Sequence, residues 1–155
     1  MVYVFPEYEN FNISEEYLED LTKVMDKILE DFEMKNYAVN LVFCDDEFIK
    51  ELNKRYRGIC KPTDVLSFSQ IEGEMGIDDF DLEDEEIVLG DIIISVDTMK
   101  NQAKEEKVPL TEEIARLAIH GLLHLLGFDH EKSEDDACEM FELQDKYLKE
   151  FLKLH

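Results

Sequence analysis

Three of the chain's four histidines lie within eleven residues, from His120 to His130. His120 and His124 are four apart, so on a helix they stand one turn apart on the same face. Gly127 follows three residues later and is suited to end that helix in the left-handed conformation. The chain can then turn and bring His130 back toward the first two. Three imidazoles converging from a helix and its exit turn form an open metal site. Three protein ligands plus a water is the catalytic arrangement for zinc, whereas a structural zinc is closed by a fourth side chain. A lone histidine on an apolar helix face is ordinarily a core or surface residue. The third histidine after a helix-ending glycine separates this pattern from that case, and only His155 remains elsewhere.

The same ligand spacing occurs in metzincin metalloproteases, with the motif His-Glu-x-x-His-x-x-Gly-x-x-His, where the glutamate is the general base. Here that position is Gly121. Glycine cannot accept a proton, so another residue supplies the base or the chemistry differs.

The run from His120 to His130 resembles the signature of the YbeY family, bacterial metal-dependent endoribonucleases of ribosomal RNA maturation. Two further blocks agree with it. One is Leu52 to Gly58 followed by Lys61-Pro62-Thr63-Asp64-Val65-Leu66-Ser67-Phe68, and the other is Leu89 to Ser95. The likeness runs from about Val39 onward. Ser69 departs from it, because the family often has proline there, and this leaves the end of that strand open.

The resemblance implies a single metallohydrolase domain over residues 1–155, with His120, His124 and His130 holding one zinc ion. It places the family's functional arginine at Arg57. A guanidinium fork suits the non-bridging oxygens of a phosphodiester, where negative charge builds during cleavage. The implied substrate is single-stranded RNA, acting at the 3′ end of small-subunit ribosomal RNA and in ribosome quality control, with the small ribosomal subunit as partner. Histidine donors also suit nickel, copper and iron. In the expected mechanism the metal polarises the scissile phosphate and lowers the pKa of its water to about 7, which needs no glutamate. Arg57 would stabilise the developing charge. Two alternatives stay open. One is a metalloprotease-like or other metallohydrolase, with a carboxylate from Asp64, Asp91 or Asp129 as base. The other is a non-catalytic ribosome assembly factor in which the metal staples the fold.

At 155 residues with 45% hydrophobic content, the chain can bury a sizeable core as one domain. No run of eighteen apolar residues occurs, and no basic region leads into an apolar stretch at the N-terminus. No membrane association is expected. Cys44, Cys60 and Cys138 have no paired spacing and read as reduced thiols of a cytoplasmic protein. The net charge of −23 opposes nucleic-acid binding, which draws most of its affinity from Lys and Arg on phosphates. Its distribution softens that objection. Nine acids and no base fall between Glu72 and Glu86, a stretch without periodicity that reads as a loop. By contrast Lys50, Lys54, Arg55, Arg57 and Lys61 fall within twelve residues. Such a local basic strip can hold a phosphate backbone.

The elements that must position these groups follow from periodicity and caps. Tyr3 to Phe5 reads as a short strand. Ser14 caps a helix with apolar Leu18, Leu21, Met25, Ile28, Leu29 and Phe32. Val39 to Phe43 is a strand, and Asp45 or Asp46 caps a second helix ended by Gly58 and Pro62. Strands follow over Asp64 to Ser69 and Ile87 to Ser95, the latter the most apolar. Ser95 or Asp97 caps a third helix to about Lys107. Thr111 is the expected cap of the histidine-bearing helix. A last helix spans about Ser133 to Leu152, with Ala137, Met140, Phe141, Leu143, Tyr147, Leu148 and Phe151 as its apolar side. The fold class is α+β: a mixed sheet of about four strands against about five helices, with a metzincin-like metal helix. Outer partners for the histidine rings are sought among Asp64, Asp91 and Asp129. Arg116, one turn before His120, either faces the cleft or pairs with Glu112 or Glu113. Tyr56 and Phe68 are candidates for stacking on bases, although aromatics there usually serve the core. The sequence is silent on oligomeric state.

Overall fold

Four strands and five helices alternate and then give way to helices alone, in a computed structural model that describes residues 1–6, 13–70, 87–129, 131 and 133–154. In chain order they are β1 (Val2–Pro6), α1 (Glu15–Asp31), β2 (Tyr37–Cys44), α2 (Asp46–Arg57), β3 (Val65–Ser69), β4 (Ile87–Ser95), α3 (Val96–Glu106), α4 (Leu110–Leu125) and α5 (Glu134–Leu154). The strands form one mixed sheet in the order β1-β2-β4-β3. β1, β2 and β4 run parallel, and β3 pairs antiparallel with β4 and forms an edge. The α+β expectation holds, and β4, the most apolar strand, lies inside the sheet between β2 and β3. The acidic stretch from Glu72 to Glu86 lies outside the described residues.

Alternation of side chains across each strand divides the core in two. Val39, Leu41, Phe43, Ile92 and Ile94 face the larger cluster with α1, α4 and α5. Ile93, Leu66 and Cys44 face the opposite side, where Ile49 and Leu52 of α2 cover them. α4 is buried on nearly every side, through Ile114, Leu117, Ala118, Ile119, Leu122 and Leu123 among others. A helix apolar all round belongs in a domain's interior. The histidines therefore ride on the most enclosed helix of the molecule.

Local chemistry sets the element ends. Ser14 Oγ accepts from Tyr17 N at 3.1 Å, and Asp45 Oδ1 accepts from Phe48 N at 2.8 Å, both as capping predicts. Two expected caps are different. Thr111 lies inside α4, whose N-cap is Pro109, the residue with extended backbone just before the first turn. Ser95 occupies the N-cap of α3 but makes no capping bond. Its hydroxyl instead donates to Asp46 Oδ1 at 2.5 Å, tying β4 to α2. β3 continues through Ser69, and Gln70 N still donates to Leu89 O at 3.0 Å, so the absence of proline leaves the ladder intact.

Two hydroxyls fix α4 and α5 against α1. Tyr17 donates to the carbonyl of Thr111 in the first turn of α4. Tyr147 of α5 donates to Asp31 Oδ2 at 2.7 Å. Burial of both phenols raises their pKa well above the ordinary range, so they remain donors at any physiological pH.

Candidate active site

Gly127 ends the histidine helix as the sequence predicts, with φ +103°. Gly127 N donates to His124 O and Phe128 N donates to Leu123 O, both at 3.1 Å, which is the paired bonding of a Schellman turn. Phe128 then packs edge-on against Phe32, the C-cap of α1, centroids 5.4 Å apart. The turn is thereby anchored on both sides.

His120 and His124 project from α4 with ring centroids 5.9 Å apart and planes at 76°. Both line a cleft of about 560 Å³ beside the edge strand β3. Arg57, Asp64, Ser67, Arg116, Glu131 and Phe141 are among its other walls. The structure thus brings together Arg57, His120 and His124. His130, the third predicted ligand, lies outside the described residues, and among those no group of three ligating side chains converges.

Arg57 reaches the cleft from the last residue of α2. Gly58 ends that helix in the left-handed conformation at φ +71°, where a side chain would be strained. The following loop is pinned by Asn53, buried under Arg57's own helix, whose Nδ2 donates to Lys61 O at 2.8 Å. Asp64 closes the loop at the start of β3. Its Oδ1 accepts from Val65 N at 2.8 Å, and its carbonyl accepts from Ser95 N at 2.9 Å. Arg57 therefore projects from a turn fixed at both ends.

The outer partner of His120 is a residue the sequence reading missed. Gln144 Oε1 lies 2.7 Å from His120 Nδ1. A carboxamide oxygen only accepts, so Nδ1 carries a proton, and in the neutral ring Nε2 keeps its lone pair. This is the tautomer a metal ligand requires, with its second nitrogen held. Gln144 is only 5% exposed, so the bond is shielded from competing water. Phe141, one turn earlier on α5, lies over the His120 ring at 6.5 Å with planes at 27°. It was expected in the core, yet it is 45% exposed and walls the cleft.

Asp64, Asp91 and Asp129, suggested for that outer role, each make other contacts. Asp91 lies across the sheet, bound by Asn40 Nδ2 and Gln70 Nε2, both at 2.9 Å. Asp129 Oδ1 accepts from Glu131 N within the turn. Asp64 does line the cleft while bracing β3. Arg116 meets both expectations at once. It lines the cleft, and its Nε donates to Glu113 Oε1 at 2.7 Å. Burial raises the Glu113 carboxyl above its usual range, and Arg116 opposes that rise.

Gly121 occupies the position of the protease glutamate, and the packing explains the glycine. A Cβ there would sit 2.7 Å from Ile92 Cγ2. Its carbonyl accepts from Ser67 Oγ at 3.3 Å, which clips β3 to α4 beside the histidines. A side chain at residue 121 would thus start against Ile92 of the sheet. The imidazole donors, one tautomer already set, fit a transition metal that accepts nitrogen ligands.

A cleft lined by two helical imidazoles and by Arg57 and Arg116 suits hydrolysis of an anionic substrate. The chain matches the model of the endoribonuclease YbeY family over residues 5–152. It is 45% identical over 139 residues to an endoribonuclease YbeY of Sulfurihydrogenibium, covering 86% of this chain and 81% of that protein. It is 43% identical over 145 residues to that of Bacillus pumilus, covering 92% and 91%. A solution structure of a Thermotoga maritima protein superimposes with TM-score 0.66 at 30% identity, covering 97% of this chain and 89% of that one. This chain belongs to the YbeY endoribonuclease family.

Proposed function

We propose that this chain is a metal-dependent, single-strand-specific endoribonuclease of ribosomal RNA maturation and ribosome quality control, working in the cytoplasm with the small ribosomal subunit. The observation that carries this reading is that Arg57, His120 and His124 line one cleft. Its walls set Arg57 and Arg116 and two histidines against Asp64 and Glu131, a local balance suited to phosphate on a chain of net charge −23. No described helix is long and apolar enough to cross a membrane.

His120, His124 and His130 would hold one zinc ion, with nickel an alternative. The ion would supply Lewis acidity toward a phosphate oxygen and a water acidic enough to lose its proton near neutral pH. The remaining work falls to the protein. Gln144 keeps the His120 proton on Nδ1. Arg57 pairs with the non-bridging oxygens as their charge grows. Phe141 and Leu117 give the cleft an apolar wall beside the histidines, which strengthens both effects. The protease reading is disfavoured by Gly121, which offers no base where the protease motif has its glutamate.

The test is cleavage of a labelled RNA in single-stranded and duplex form, before and after chelation and after zinc is restored. Cleavage confined to the single strand, lost on chelation and regained with zinc, is the expected result. Cleavage that survives chelation would overturn the metal-dependent mechanism.

A further inference from the structure

Tyr56 is the most exposed large apolar side chain among the described residues, at 61%. Its ring is nevertheless held in place. It packs on Phe68 with centroids 5.0 Å apart and planes at 58°. Phe68 in turn is half-buried against the cluster of Ile49, Leu66 and Ile93. A large aromatic ring fixed from below and left mostly in water contributes little to the core. Its neighbours give it an address. Arg57, the next residue, lines the cleft, and so does Leu66 on the strand that carries Phe68. The Tyr56–Phe68 pair therefore adjoins two residues of the cleft lining, Arg57 next to Tyr56 in the chain and Leu66 on the strand of Phe68.

The surrounding charge points to the same partner. Lys50, Lys54, Arg55, Arg57 and Lys61 surround Tyr56 in sequence. Among the described residues none of these five makes an ion pair, although acids outnumber bases 39 to 16 in the chain. Cations in a helix's last turn also complement its dipole. That accounts for Lys54, Arg55 and Arg57 but not for an exposed tyrosine among them, nor for Lys61 beyond the helix. A basic strip with an aromatic ring set into it is how proteins hold single strands: charge follows the backbone and the ring stacks a base.

We propose that Tyr56, seated on Phe68, is a base-stacking platform for the nucleotide next to the phosphate held at Arg57. The proposal rests on the ribonuclease reading above and gives it a source of strand selectivity. A base within a duplex has both faces covered by its neighbours, so only an unpaired, splayed base can lie on the Tyr56 ring. Backbone contacts alone would not tell a single strand from a duplex in this way.

The chain has no tryptophan, so Tyr56→Trp installs a sole indole as a reporter. The probes are a short single-stranded RNA, its duplex, and the same strand with abasic riboses, each added to the full-length metal-loaded protein. The single strand should quench the indole, and the duplex and abasic strand should not. By fluorescence anisotropy, Tyr56→Ala should bind the single strand roughly 5- to 150-fold more weakly than wild type. Tyr56→Phe should bind as wild type, and all should bind the abasic strand equally. Tyr56→Leu keeps Phe68 covered without an aromatic face and should behave as Tyr56→Ala, which separates stacking from packing. Undiminished binding by Tyr56→Ala, or an equal loss on the abasic strand, overturns the platform while wild-type cleavage leaves the ribonuclease reading standing. A wild type that neither binds nor cuts RNA overturns both.

Discussion

Gln144 on α5 and His120 on α4, 24 residues apart in sequence, meet at 2.7 Å through Oε1 and Nδ1. The bond decides which imidazole nitrogen is free to act as a ligand. Gln144→Leu removes the acceptor from a buried position, and outer-shell losses of this kind typically weaken metal affinity about 10- to 100-fold. Competition against a chromophoric chelator measures it, with Gln144→Glu retaining tight binding because it still accepts. Unchanged affinity in Gln144→Leu would remove Gln144 from that role.

Gly121 and Ile92 give a prediction of opposite sign to helix propensity. In a helix interior alanine is favoured over glycine by about 1 kcal/mol. Here the new Cβ would meet Ile92 Cγ2 at 2.7 Å, on a stiff β-branched side chain in a central strand. Overpacking of this kind costs about 1–3 kcal/mol. Gly121→Ala should therefore lower the urea midpoint, and Gly121→Glu should lower it further without creating protease activity. A raised midpoint in Gly121→Ala would contradict the close packing.

Much of this arrangement was legible in the sequence, and the gaps have physical causes. All five helices lie where the sequence places them, and side-chain caps mark the starts of α1 and α2, because periodicity and a capping side chain are local signals. The His120–His124 pair was legible for the same reason. Gln144 was not, since its partner comes from another helix and tertiary packing is not written locally. A signal did exist. Met140, Gln144, Tyr147 and Phe151 share one face of α5 at helical spacing, and all four are buried. A polar residue in an apolar stripe requires a partner. Phe141 misled for the converse reason: hydrophobicity places a ring near apolar surface without saying whether that surface is core or cleft. Thr111 lost its expected capping role because Pro109, with its fixed φ, begins the helix earlier.

The thiols should separate by reactivity. Burial, reinforced by Asp45, Asp46 and Asp97, pushes the Cys44 thiol up to about 12, so it holds no thiolate at neutral pH. Cys60 and Cys138 are exposed. Cys138 Sγ donates toward Glu142 Oε1, which raises its pKa and slows its reaction. Native labelling with iodoacetamide followed by peptide mass analysis should modify Cys60 first, Cys138 more slowly, and Cys44 only after denaturation. Early labelling of Cys44 would contradict its burial.

Glu113 should leave a pH signature. Burial raises its carboxyl above the ordinary value of 4.5 in the folded state, with Arg116 opposing. The folded chain therefore holds this proton to a higher pH than the unfolded chain does. The group's contribution is full below the unfolded pKa and declines as pH rises through the folded one. Glu113→Gln keeps an acceptor for Arg116 and does not titrate. The Tm of Glu113→Gln relative to wild type should therefore shift in the variant's favour as pH rises from about 4 to about 7. A shift in the opposite direction would mean that Arg116 outweighs burial.

The central claim is that Arg57 acts on the substrate while the histidines hold the metal. The most direct measurement is cleavage of a labelled single-stranded RNA by wild type, His124→Ala and Arg57→Ala, with metal content determined on each sample. Loss of one transition-state contact of this kind typically costs about 10²- to 10³-fold in rate. The account predicts that both variants lose cleavage by at least that much, that Arg57→Ala keeps its metal and its melting temperature, and that His124→Ala loses metal. Equal cleavage by all three, or full activity in Arg57→Ala with metal bound, would contradict it.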